Sequence, residues 1–253
     1  LFAVAGLLLA SIPRPESAAA AKPSLLREAT YGWTYIWNRR GLLALLIYFG
    51  AVNFVVSIAR VLLTPLVLDF STVEVLGFLT SVSGVGFLFG SLVMAVWGGP
   101  RVRIRGVLGF GLLFGLSALL IGLRPSLVVF YAAVFCMYAS VPVINACSQA
   151  IWQSKTPPDA QGRVFAVRWL VSLSAAPVAY LLAGVLVERV FEPLAATGAP
   201  VLKALGRGAG QGTGLVFIAA GLLMMLAQLG GYLFPRLRRV EMELPDVVPE
   251  ANA

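Results

Sequence analysis

Asn53, Ser57 and Arg60 stand at i, i+4 and i+7 within one long apolar run. In another run Tyr131, Tyr138, Pro142, Asn145 and Gln149 follow one another at intervals of 7, 4, 3 and 4. Helical geometry puts each set on a single face. These side chains donate and accept hydrogen bonds and supply one cation, so together they can hold a small molecule. They carry no acid–base pair with which to transform it, because Asp69, Glu74, Glu188 and Glu192 fall at the ends of apolar runs and Asp159 in a connector. The chain has no histidine, which excludes Ser–His triads and histidine-ligated zinc hydrolysis within it. Cys136 and Cys147 share one run and would stand roughly 16 Å apart along a helix axis, too far for a disulfide. No group of residues calls for a metal or an organic cofactor.

A polar side chain in hydrocarbon is expensive, so a stripe of them needs a reason. One reason is a shared substrate cavity lined by Asn53, Ser57, Arg60, Tyr138, Asn145 and Gln149. The other is that each merely bonds to a neighbouring helix, a contact worth about 0.6 kcal/mol. Arg60 could also snorkel to the nearer membrane surface, and Pro142 would loosen its helix. A cavity with one arginine and no acid favours neutral or anionic substrates over cations. If transport is driven by protons, the carboxylate that carries them lies outside this chain.

The elements that must position these residues are membrane helices. Hydrophobic residues make up 59% of the 253 and charged ones 12%, with mean hydropathy +0.90; a soluble domain carries about 25% charged residues to solvate its surface. Six apolar segments are long enough to cross ~30 Å of hydrocarbon, over residues 41–63, 75–97, 106–123, 127–150, 164–187 and 212–234. None alternates with period 2, and only helices satisfy such a backbone in lipid. The basic residues lie in connectors rather than on one soluble face, which argues against a nucleic-acid partner despite the net charge of +8. One set of connectors holds Arg14, Lys22, Arg27, Arg39 and Arg40, then Arg101, Arg103 and Arg105, then Lys155, Arg163 and Arg168, then Arg236, Arg238 and Arg239. The alternate set holds only Arg124, Arg189, Lys203 and Arg207. The richer set belongs in the cytoplasm, and the C-terminus with it.

Other segments read more simply. Residues 13–40 form a cytoplasmic linker in which Leu26, Ala29, Trp33 and Ile36 mark an amphipathic helix lying in the interface. Residues 41–235 are the six-helix bundle, and 236–253 a polar cytoplasmic tail. Residues 1–12 are expected to be the end of a truncated transmembrane helix; the rival reading is a signal peptide, which would need a basic start and lacks one. Gly86 with Gly90, Gly111 with Gly115, and Ala175, Ala179 and Ala183 are ridges for close helix packing.

The connector Trp152-Gln153-Ser154-Lys155-Thr156-Pro157-Pro158-Asp159-Ala160-Gln161-Gly162-Arg163-Val164-Phe165 closely resembles the loop before the eleventh helix of major facilitator exporters of the macrolide-efflux and enterobactin-exporter group. Phe191-Glu192-Pro193 leading to the glycines of 206–214, and Pro235 to Arg239 ahead of Leu244-Pro245-Asp246, fit the same group. The resemblance implies an all-α fold: the C-terminal half of a twelve-helix facilitator, built as a 3+3 inverted repeat and partnered by an N-terminal six-helix half. It also implies a monomer in the bacterial inner membrane that exports a small lipophilic, siderophore-like or antibiotic-like compound by alternating access. Arg101, Arg103 and Arg105 stand where the family repeats a gating motif containing an Asp, and here that Asp is absent. Asp159, Arg163 and Arg168 complete the expected gating loops. Arg163 is expected to find a partner in Asp159 or in the carbonyls that end the span near Trp97. Two other readings are a membrane half of a fused lipid-modifying enzyme, for which no paired carboxylates are present, and a non-transporting scaffold.

Overall fold

The computed structural model describes residues 25–123, 126–197, 211–234 and 241. The expectations for residues 1–24 and for the tail other than Glu241 lie outside the described residues, as do Arg124, Lys203, Arg207, Arg236, Arg238 and Arg239. Helix α1 (Leu25–Trp37) leads into α2 (Arg40–Phe70), α3 (Val73–Trp97), α4 (Arg103–Leu123), α5 (Leu127–Ser154) and α6 (Pro158–Leu186). A π-helical turn, Val187–Phe191, joins α6 to the short α7 (Glu192–Ala196), and α8 (Gln211–Leu233) completes the set. Six of these stretches are long and apolar enough to cross a membrane, the fifth running unbroken from Pro158 to Ala196.

Two of the spans outrun their sequence-based bounds by six residues or more. α2 continues past Pro65 to Phe70 because the turn beyond the proline is held by packing: Leu66 and Val67 are completely buried. Pro65 itself faces outward, and the buried turn after it carries the helix past the one backbone hydrogen bond that the proline removes. α6 begins at Pro158 rather than at residue 164, with Pro157 at its N-cap and Asp159 in the first turn. Proline at the first helical position has no N–H to waste, and an acid there suits the helix dipole. Arg163 therefore sits inside α6 and not at its opening.

The helices pair as α2 with α6, α3 with α5, α4 with α5, α4 with α8, and α8 with α2. Exchanging the first three spans for the last three, in order, maps this set onto itself: α4 with α8 is unchanged and the other four pairings trade places. That is the contact signature of two inverted three-helix repeats. Close approach depends on glycine at the seams. A Cβ on Gly90 would run into the Ala139 carbonyl of α5, and one on Gly115 would lie 3.0 Å from the Gly221 carbonyl of α8. The core fills the seams with Leu42, Leu45, Ile104, Leu108, Phe130, Trp152 and Phe217. α3 and α6 are covered least, and they expose Leu88, Leu92, Val96, Leu170 and Leu181.

α1 forms a helix, and part of its apolar side finds protein. Tyr35 and Ile36 are buried, while Trp33 and Trp37 stay exposed with their rings 5.9 Å apart. At Gly32 the helix lies so close to α6 that a Cβ would stand 2.5 Å from the Arg163 carbonyl oxygen.

Candidate functional site

The polar stripe of α2 comes from its length. An unbroken helix carries Asn53, Ser57 and Arg60 along one side, and a run of Leu, Val and Ile buries the other. The Asn53 amide donates to the Phe49 carbonyl one turn back, at 2.8 Å. On α5, Asn145 and Gln149 lie one turn apart beyond Pro142. These five residues line one cavity of about 730 Å³, together with Phe49, Pro142 and a face of α6.

That face of α6 is the part the sequence reading missed. Arg168, Trp169, Ser172, Leu173, Ala176 and Tyr180 line the same cavity. Arg168, Ser172, Ala176 and Tyr180 are four apart, a stripe as regular as the one on α2. The signal was present, but three alanines one residue out of register (Ala175, Ala179, Ala183) drew attention to packing. Two of those, Ala179 and Ala183, are indeed buried.

Arg168 belongs to the cavity wall rather than to a surface loop. Its guanidinium donates to Gln149 Oε1 at 2.8 Å and to Ser148 Oγ at 2.9 Å, and lies 5.5 Å over the Trp152 ring. Both hydrogen-bond partners are neutral, so they orient the cation without cancelling its charge. Arg60 makes no hydrogen bond or ion pair among the described residues. No Asp or Glu appears among the residues lining the cavity.

Tyr138 stands apart from the other sequence-predicted residues. It lines a smaller, mostly apolar pocket of about 270 Å³ with Phe87, Phe114, Met137 and Arg60. Arg60 lines both spaces.

The basic loops occupy one end of the bundle. Arg101, Arg103 and Arg105 are exposed around the start of α4, and Gly98 and Gly99 make the preceding turn with φ of 73° and 83°. Asp159 is exposed in the first turn of α6. Arg163 points to α1, its guanidinium 5.0 Å over the Tyr31 ring. The carboxylate missing from the α3–α4 loop is replaced from far along the chain. Glu241 accepts the Arg103 and Ile104 backbone N–H groups at 3.2 and 3.0 Å, and its own carbonyl accepts from Lys155 Nζ at 2.7 Å. Tyr35 then donates to the Lys155 carbonyl at 3.2 Å. Burial pushes the Tyr35 phenol above its usual range, with Arg39 opposing, so it remains a proton donor.

Comparison with known proteins agrees with this architecture. The family model of the Major Facilitator Superfamily matches residues 1–180. Macrolide efflux protein A of Streptococcus pyogenes is 28% identical over 172 residues, covering 66% of this chain and 42% of that protein. The protein of the same name from Enterococcus faecalis is 27% identical over 177 residues, covering 68% of this chain and 55% of its own length. The chain thus spans about half the length of the curated relatives it matches. No solved structure matches it significantly. With most of the chain matched and six membrane-length helices in two symmetric triplets, this multi-pass membrane protein belongs to the Major Facilitator Superfamily.

Proposed function

We propose that this chain is the C-terminal half of a secondary transporter that exports small lipophilic compounds, and that the cavity between α2, α5 and α6 is this half's share of the substrate path. The observation that carries the reading is convergence. Polar residues from three helices, each costly in lipid, face a single space large enough for a drug-sized molecule. A scaffold has no use for that expense, and an enzyme would need acid–base groups that the wall of this cavity does not hold.

In this reading α1 belongs to the link between the two halves, along the inner face of a bacterial inner membrane. A second six-helix half closes the cavity, the working unit is a monomer, and the two halves rock about the site in alternating access. Efflux as the direction, and an antibiotic-like or siderophore-like compound as the cargo, rest on the similarity to proteins named for macrolide efflux.

The test is export from cells that carry the full-length protein. An Asn53→Leu, Asn145→Leu double variant should reach the membrane in normal amount and lose most of its export activity. Normal export by that variant would make the two stripes packing features and sink the cavity assignment.

A further inference from the structure

The cavity's charge and the pocket beside it define a substrate class more closely. We infer that the site accepts amphiphilic anions: molecules whose acidic group meets the guanidiniums of Arg60 and Arg168 while a flat apolar group enters the pocket lined by Phe87, Phe114 and Tyr138. This rests on the transporter reading and sharpens it. Two arginines border the cavity and no lining residue is an acid. The hydrogen-bond partners of Arg168 are the neutral Gln149 and Ser148, so its positive charge is left to a ligand. Arg60 has no partner among the described residues and borders both the polar cavity and the apolar pocket. A ligand with one charged and one aromatic end satisfies both spaces at once. A cation would meet like charge in low dielectric, where repulsion is screened little.

Two xanthene dyes of matching framework and opposite charge provide the probe, with erythromycin, an amine that is protonated at neutral pH, as a third compound. Uptake is measured into everted membrane vesicles bearing the full-length protein. Carboxyfluorescein should accumulate, and rhodamine 6G at least about tenfold less, the size of effect that one misplaced charge produces. Arg60→Gln and Arg168→Gln should each reduce carboxyfluorescein uptake without a matching loss of protein. Rhodamine or erythromycin uptake without carboxyfluorescein uptake overturns the inference and leaves the transporter reading standing. Uptake of none of the three overturns both.

A different observation carries a second inference. The geometry points to Glu241 as the pin of a hydrogen-bonded strap, running through Lys155 and Tyr35, that holds the start of α4, the end of α5 and α1 together at the basic end of the bundle. Its carboxylate caps two orphan N–H groups at the start of α4, a charge-assisted contact at the positive end of the dipole. Its backbone is held by Lys155, which is 3% exposed, and Lys155 is in turn held by α1 through Tyr35. The acid that the α3–α4 loop lacks is therefore supplied from beyond the last helix.

A native thiol reports on this strap. Cys147 is completely buried beneath the α3–α4 turn, and a Cβ built on Gly106 would lie 2.7 Å from its sulfur. In full-length protein carrying Cys136→Ser, Glu241→Ala should raise the rate of Cys147 labelling by a membrane-impermeant maleimide about tenfold, as local opening becomes easier. Lys155→Met should do the same. Labelling as slow as in the parent for both variants overturns the strap.

Discussion

Gln228 is wholly buried in α8, between α2 and α4, and it is half satisfied. Its side-chain oxygen accepts from the Tyr48 hydroxyl, while its amide nitrogen has no partner. An orphaned buried donor costs about 1–3 kcal/mol, whereas removing both partners of a pair can be nearly neutral. Tyr48→Phe alone should therefore destabilise the detergent-solubilised protein by about 1–2 kcal/mol, because it strands the remaining end of the amide. Adding Gln228→Met should recover most of that loss. A thermal-unfolding double-mutant cycle reads the coupling directly, and additive losses would refute it. Arg168 is the contrasting case. It was legible as an arginine near a membrane surface, and the chain order placed it in a connector. Its actual partners, Ser148 and Gln149, lie on the preceding helix, and only the fold brings them within 3 Å of it.

At the scale of helices, glycines divide into seams and bystanders. On α3, a Cβ at Gly90 would collide with the α5 backbone, whereas one at Gly84 meets nothing within 4 Å. Gly90→Ala should force α3 away from α5 and lower stability by roughly 1–3 kcal/mol, the usual range for overpacking. Gly84→Ala, on the same helix, should be neutral or stabilising by up to about 1 kcal/mol through helix propensity. Melting temperatures that move equally for the two variants would show that the seam plays no part. The pairing of Gly86 with Gly90 was readable from spacing because close packing in lipid depends on small residues. The helix ends were less readable. A proline reads as a stop in isolation, yet α2 passes Pro65 because Leu66 and Val67 are buried, and burial is not written in local sequence. Pro158 misled in the opposite direction, since it starts a helix that apolar character alone begins several residues later. Nor could any local pattern show that Glu241 would cap a helix some 138 residues earlier.

For the whole molecule, class and topology were the most legible features, because lipid imposes length, apolarity and closed backbone hydrogen bonding on every span. The cavity was legible in part. Two of its walls announced themselves as polar stripes three spans apart, and the third was disguised as a packing ladder. Sidedness is a property of the whole molecule, and the described residues argue for one answer. Arg39, Arg40, Arg101, Arg103, Arg105, Lys155 and Arg163 cluster at one end of the bundle, where α1 also packs, while Arg189 is the basic connector residue described towards the other. Such an imbalance orients a chain with its basic end inside. A single cysteine at Asn38, in a background without Cys136 and Cys147, should react with an impermeant maleimide only in everted vesicles. A cysteine at Thr197, after the short α7, should react only in right-side-out vesicles or intact spheroplasts. The opposite pattern would invert the bundle, putting the Glu241 strap outside the cell and turning the proposed export path around. Labelling of both positions from one side would break the count of crossings between them: α2, α3, α4, α5 and α6 make an odd number, which requires the two residues to lie on opposite faces.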